Sequence, residues 1–126
     1  MMKKVFIPIA GFFLLSAAAY AADWQKYGEN KFGTFYYDKE SVTYTGLGNV
    51  ARFKTKRVSP DLSEEILRLF EFDCLHTLER TLECEIRHTG TTEPKECGVF
   101  DWVQVSPKTF TMNLFNDLCA KRTPMR

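Results

Sequence analysis

The stretch FEFDCLHTLERTLECEI, residues 70–86, decides how this chain folds. Phe70, Phe72, Cys74, Leu78, Leu82, Cys84 and Ile86 fall on even positions, while Glu71, Asp73, Glu79, Glu83 and Glu85 fall on odd ones. A period of two marks β-structure with one apolar and one wet face. Strands rarely exceed about 10 residues, so two strands are expected, with a reversal near Leu75 to Thr77. The shared parity of the acids reads as a solvated sheet face rather than as a carboxylate pair for glycoside hydrolysis. Two sulfurs sit inside the stretch, and their role depends on the compartment.

The chain begins MMKKVFIPIAGFFLLSAAAYAAD. Lys3 and Lys4, an apolar run from Val5 to about Leu15, and the small residues around Ala19-Tyr20-Ala21 have the order of a secretory leader. The run is shorter than the roughly 18–20 residues that span a bilayer, so a stable membrane anchor is not expected. Residues 1–21 are read as a signal peptide cleaved after Ala21, and residues 22–126 as one domain. Removing Lys3 and Lys4 leaves 15 basic against 16 acidic residues. Such a balance gives no support for nucleic-acid binding. The remaining chain of about 105 residues is enough for one core.

All four cysteines, Cys74, Cys84, Cys97 and Cys119, follow the leader. An even number in an oxidising compartment reads as disulfides. Zinc sites and thioredoxin-like redox sites both want close C-x-x-C pairs, and here every gap is ten residues or more. No metal or cofactor is expected. Four cysteines permit three pairings, and sequence alone does not choose among them. Physical preference favours Cys84 with Cys97, which flank the HTGTTEPKE loop (88–96) on strands expected to form a hairpin. Cys74 would then fasten Cys119 of the C-terminal segment to the apolar face of Phe70 and Phe72. These closures would contribute roughly 3 and 4 kcal/mol in the loop-entropy picture.

Strand signals dominate elsewhere. FGTFYYD (32–38) is aromatic and β-favouring, and DKES (38–41) follows it as a turn. SVTYT (41–45) reads as a short strand, Gly46-Leu47-Gly48-Asn49 as a reversal, and Val50 to Val58 as a longer strand. In that longer strand Ala51, Phe53 and Thr55 share one face and Arg52, Lys54 and Lys56 the other. SPDLSEE (59–65) reads as a loop or single helical turn, and CGVFDWVQV (97–105) as a further strand. At the end, Ser106 and Pro107 suit a helix cap and first position. Leu114, Phe115, Leu118 and Cys119 form an apolar stripe, Lys121 and Arg122 suit the negative end of the helix dipole, and the helix should stop before Pro124.

On these residues the chain resembles the surface-adhesin protein E family of Gram-negative bacteria. The resemblance rests on Trp24, YYDKESV (36–42), NVARFKTK (49–56), LFEFDC (69–74) with Arg80, WVQVSPKT (102–109) and a helix ending in Cys119. It implies an α+β fold: an antiparallel sheet of about six strands, with the C-terminal helix tied to its concave face by a Cys74–Cys119 disulfide. It also implies adhesion to host matrix and plasma proteins, as a dimer. The chain lacks the cysteine that anchors the family's adhesin to lipid, and it carries Cys84 and Cys97 in addition to the common pattern.

Catalytic signatures are not found. His76 and His88 lack a serine or cysteine nucleophile in a recognisable elbow, and read as a turn residue and a strand-end residue. Gly46-Leu47-Gly48 lacks the strand-to-helix setting of a phosphate loop. Arg52, Lys54, Lys56 and Arg57 form the one basic cluster, with Arg52, Lys54 and Lys56 as candidate partner-binding residues; the plainer reading is the wet side of an amphipathic strand. Arg80 has inward parity and needs a partner such as Asp117 or carbonyls at the helix end. Phe100 and Trp102, expected on the face opposite Val99 and Val103, are candidate interface residues. The expectation is a non-enzymatic exported binding module, in the periplasm or at the cell surface, with a protein partner. Its alternatives are a periplasmic accessory protein bound to another envelope component, and a small-ligand carrier or enzyme using the helix–sheet groove.

Overall fold

The computed structural model describes residues 21–122; the leader expected at 1–21 lies outside them apart from Ala21, as does Pro124. Among the described residues, eight strands and one helix follow in order. They are β1 (Trp24–Asn30), β2 (Gly33–Asp38), β3 (Thr43–Thr45), β4 (Val50–Val58), β5 (Glu64–Asp73), β6 (Leu78–His88), β7 (Lys95–Glu96), β8 (Phe100–Gln104) and α1 (Phe110–Ala120). A 3-10 turn, Lys39–Ser41, takes the place expected for a reversal after β2, capped by the Asp38 carboxylate. The strands form one antiparallel sheet in the order β1-β2-β4-β5-β6-β7, with β3 beside β4 and β8 beside β6. Two of them, β3 and β7, are only three and two residues long.

Alternation places the core. Ala51, Phe53 and Thr55 of β4 stand beside Phe72, Phe70 and Arg68 of β5, and the helix lays Leu114, Phe115, Leu118 and Cys119 over them. Phe53 and Phe72 are fully buried, with ring centroids 4.9 Å apart, and Phe115 stacks edge-on to Phe72 at 5.2 Å. Each such ring stabilises the fold by about 2 kcal/mol through burial alone. The reversal within the opening stretch falls at residues 74–77, where the Asp73 carboxylate accepts from the Leu75 and His76 backbone N–H groups. An Asx-type turn of this kind needs neither glycine nor proline.

Two ties fix the layers. Cys74 at the end of β5 bonds Cys119 near the end of α1, with Cα atoms 5.6 Å apart. Cys84 of β6 bonds Cys97 just after β7, with Cα atoms 5.0 Å apart. Both pairings match the packing preference, and the first matches the resemblance. The Tyr44 hydroxyl of β3 also donates to the Leu118 carbonyl at 2.8 Å, occupying one of the acceptors a helix end leaves open.

Three local expectations are corrected. First, the helix does not start at Ser106 and Pro107. Thr109 is its cap: the hydroxyl accepts from Met112 N–H at 3.1 Å and donates to the Ser106 carbonyl at 2.8 Å, while Lys108 at φ 60° keeps the preceding turn out of the helix. Second, the odd-numbered acids do not share one wet face. Phe70 pairs with Thr81 and Leu69 with Glu83, so Leu82 is an extra residue in β6. One added residue reverses sidedness. Before it, Glu79 and Thr81 point to the helix side; after it, Cys84 and Ile86 do. Third, β5 begins at Glu64, inside the stretch 59–65 expected as a loop or single helical turn. Strand β1 was also not expected: WQKYGEN is polar and carries Gly28, and its pairing with β2 is interrupted by a bulge between Lys26 and Gly28.

Candidate functional site

With α1 on one face of the sheet, no other helix or strand among the described residues covers the opposite face. That face is built in rows by the strand register. Arg52, Glu71 and Arg80 stand side by side on β4, β5 and β6. The next row is Lys54, Leu69 and Glu83, and the next Lys56, Leu67 and Glu85. The second and third rows share one order, a lysine on β4, a leucine on β5 and an acid on β6, which the first row does not. An open trough runs over the second and third rows, past Lys54, Leu67, Leu69, Glu83 and Glu85, with Ala22 and Trp24 at one lip and Pro94 and Val99 at the other.

The first row is a closed ion-pair ladder. Glu71 has only 3% of its side chain exposed. Its Oε2 accepts from Arg52 at 2.8 and 2.9 Å, and its Oε1 from Arg80 at 2.8 and 2.9 Å. Arg80 then lies against Trp102, with its guanidinium carbon 4.3 Å from the ring centroid, and its Nη1 is 3.8 Å from Asp101. At the other side of the face, Lys56 Nζ sits 4.4 Å over the Trp24 ring and 5.5 Å from that of Tyr36. Partly desolvated cation–aromatic contacts of this kind hold the charged heads in fixed positions.

Arg52, Lys54 and Lys56 therefore do share one face, as the alternation requires. Arg80 does have a carboxylate partner, but it is Glu71 on the face away from the helix; Asp117 pairs with Lys121 at 3.2 Å instead. The reversal at Leu82 is the cause, since it puts Arg80 on the side opposite to the one its parity suggests. Phe100 and Trp102 are also separated. Phe100 pairs with Thr81 and Val103 with Glu79, on the helix side, whereas Trp102 turns to Arg80 on the open side. An irregularity between Glu79 and Thr81 produces the split. Phe100, Val99 and Val103 are 42%, 59% and 47% exposed along this edge strand.

The histidines occupy the expected places. His76 lies in the turn, 2.9 Å from Asp73, and His88 ends β6, 3.2 Å from Glu64. Burial alone would raise the Asp73 pKa, but the bonds from His76 and the turn N–H groups outweigh it and hold the carboxyl below its usual value. Among the described residues no three His, Cys, Asp or Glu side chains are grouped as a metal site would need, and no helix is long and apolar enough to cross a membrane. Between helix and sheet, packed aromatic rings fill the space. A depression lies at the helix start, lined by Asn30, Glu79, Lys108 and Thr109. Burial pushes the Glu79 pKa up there.

Leu67, Leu69, Trp24 and Tyr36 of the open face were not picked out from the sequence. A signal was present: EILRLFEF (65–72) carries apolar residues at both parities, the mark of a strand that is apolar on two sides.

This fold has a counterpart among solved structures. The fold is similar to that of protein E. The protein E in question is from non-typeable Haemophilus influenzae; the two agree with a TM-score of 0.57 at 13% identity, over 80% of this chain and 78% of that one. At such identity the likeness is one of fold. No family model and no curated protein matches the chain.

Proposed function

We propose that this chain is a non-enzymatic binding module, exported to the cell envelope, that works by protein–protein contact. The observation that carries this reading is the open sheet face. A sheet in a small domain normally hides its apolar residues against another layer, yet here Leu67 and Leu69 lie in a trough between the β4 lysines and the β6 glutamates, with Trp24 at its lip and no layer above them among the described residues. Mixed apolar and charged surfaces bordered by aromatic residues suit a protein partner better than a small ligand, which wants an enclosed cavity.

Two features support export: both disulfides are of the kind that persist outside the cytosol, and the leader has the order of a signal peptide. The family resemblance favours adhesion at the cell surface, with a host matrix protein as partner. The alternative is a periplasmic accessory protein bound to another envelope component. Fractionation of cells expressing the natural gene separates the two: labelling on intact cells supports adhesion, and release by osmotic shock alone supports the accessory role. Capture from matrix proteins and from envelope extract by the immobilised chain tests the module itself. No saturable capture from either source would overturn it.

A further inference from the structure

Two arginines meet on the helix side of the sheet. Arg57 of β4 stands between Phe35 of β2 and Ile66 of β5, and Arg68 of β5 stands between Thr55 of β4 and Cys84 of β6. That register makes the arginines diagonal neighbours, with backbones roughly 7–8 Å apart. Both are half-buried.

The fold supplies too few acceptors for them. Arg57 gives Nη2 to Glu64 at 3.0 Å and Nη1 to the Phe32 carbonyl at 3.1 Å, which leaves its Nε–H buried without an acceptor. Arg68 makes no hydrogen bond or ion pair with any described residue. Glu64 is already shared with His88 at 3.2 Å. On the open face, by contrast, Arg52 and Arg80 have Glu71 between them. Burial, and after it the adjacent Arg57 charge, hold the Arg68 pKa below its ordinary value. Tyr27 of β1 is close enough to feel the Arg68 charge, but burial raises its own pKa and keeps the phenol neutral. Glu79 also acts on Tyr27, yet it ion-pairs with neither arginine.

We propose that Arg68, with the Arg57 Nε–H and the Tyr27 hydroxyl, binds a sulfate or phosphate ester group. A half-buried guanidinium without an acceptor is costly, and a bound anion removes that cost. The planar fork of arginine suits an oxyanion through two parallel N–H bonds. Here the donors come from three different strands, β1, β4 and β5, and so from more than one plane. The free oxygens of a tetrahedral ester accept from several directions, whereas a carboxylate accepts mainly in its own plane. The positive end of α1 adds to the field: Phe110 lies 4.9 Å from Phe35, the cross-strand neighbour of Arg57, and the first turn carries no acid. This site is on the face opposite the trough, so it goes beyond the protein-contact reading and stands without it.

The test titrates disulfide-intact, nitrogen-15-labelled protein with glycerol 3-phosphate, N-acetylglucosamine 6-sulfate or acetate at constant ionic strength, following the arginine Nε–H resonances by NMR. Both esters should shift Arg57 and Arg68 saturably. The sulfate ester and acetate carry the same charge, so their ratio reads shape, and acetate should bind about tenfold more weakly. The tighter ester identifies the source as a phospholipid headgroup or a sulfated glycan, and equal affinities assign the site to the group itself. Arg68→Met should abolish the saturable shift at Arg57, while Arg68→Lys, which keeps the charge but not the fork, should weaken binding about tenfold. Circular dichroism and intact disulfides identify folded variants; if Arg68→Met does not fold, Arg68→Lys carries the test. No saturable shift at these arginines with either ester overturns the proposal, as does ester binding unchanged in the folded variants. Acetate binding as tightly as the sulfate ester also overturns it, and assigns the site to a carboxylate-bearing partner.

Discussion

Arg80 donates to a single oxygen of Glu71, from Nε at 2.9 Å and Nη2 at 2.8 Å, while Arg52 holds the other oxygen. A carboxylate this buried is stable only because both guanidiniums reach it. Removing it strands two charges that are themselves part-buried, with 46% and 32% of the side chains exposed. Glu71→Ala should cost about 3 kcal/mol, near the lower end for breaking a buried pair because water reaches the arginines. Glu71→Gln should cost less. Urea unfolding of the two variants measures this; a loss under about 1 kcal/mol for Glu71→Ala would show that the ladder is a surface feature only.

The two disulfides should differ in what they hold. Closing 45 residues between Cys74 and Cys119 is worth about 4 kcal/mol in the loop-entropy picture, and closing 13 between Cys84 and Cys97 about 3. The greater difference is local: only the first ties α1 to the sheet. Cys74→Ser/Cys119→Ser should expose helix amides to hydrogen exchange well before the strands, whereas Cys84→Ser/Cys97→Ser should loosen mainly residues 88–97.

Gly28 is required by a close approach. A Cβ placed there would overlap the ring of Phe110 at the start of α1, and that ring is held 4.9 Å from Phe35 and 5.7 Å from Tyr27. Gly28→Ala should destabilise by about 1–3 kcal/mol through overpacking. Its distinguishing sign is non-additivity: in a Phe110→Ala background the same change should cost almost nothing, which a double-mutant cycle reads directly.

Glu79 predicts a pH dependence. Its folded pKa is raised by burial, so the folded state binds its proton more tightly than the unfolded chain does. The resulting penalty is absent below the unfolded value of about 4.3 and grows as pH rises towards and through the folded pKa. Glu79→Gln should therefore raise the melting temperature at pH 7 and leave it nearly unchanged at pH 3.5. The gain should stay under about 1 kcal/mol, because the group is only half-buried and solvent screens it. Equal gains at both pH values would show that ionisation is not the cause.

Period-two alternation was enough to read most of the sheet and the reversal at 74–77, while the disulfide pairing, open three ways in the sequence, followed from which strands and apolar residues must meet. What escaped depends on single insertions. Leu82 looks like any other apolar residue in 78-LERTLECEI-86, and only its lack of a partner across from Leu69 and Phe70 turns Arg80 towards Glu71. The same holds at the bulges near Gly28 and Trp102, which hid β1 and parted Phe100 from Trp102. Serine and threonine both cap helices, so Ser106 and Thr109 were not separable without the left-handed Lys108 between them. On the open face the basic residues were legible from β4 alone, but their matching with Glu83 and Glu85 required the register across three strands.

Among the described residues the helix that seals the core comes last, and Cys74 waits for its partner, Cys119, 45 positions later. A ribosome delivers the floor long before the roof, so Phe53 and Phe72 must stand bare while synthesis finishes. During that interval the nascent protein is a sticky, half-built sheet that needs a chaperone's shelter. A stop codon anywhere before residue 110 should yield clumped, rapidly degraded fragments rather than a smaller working domain.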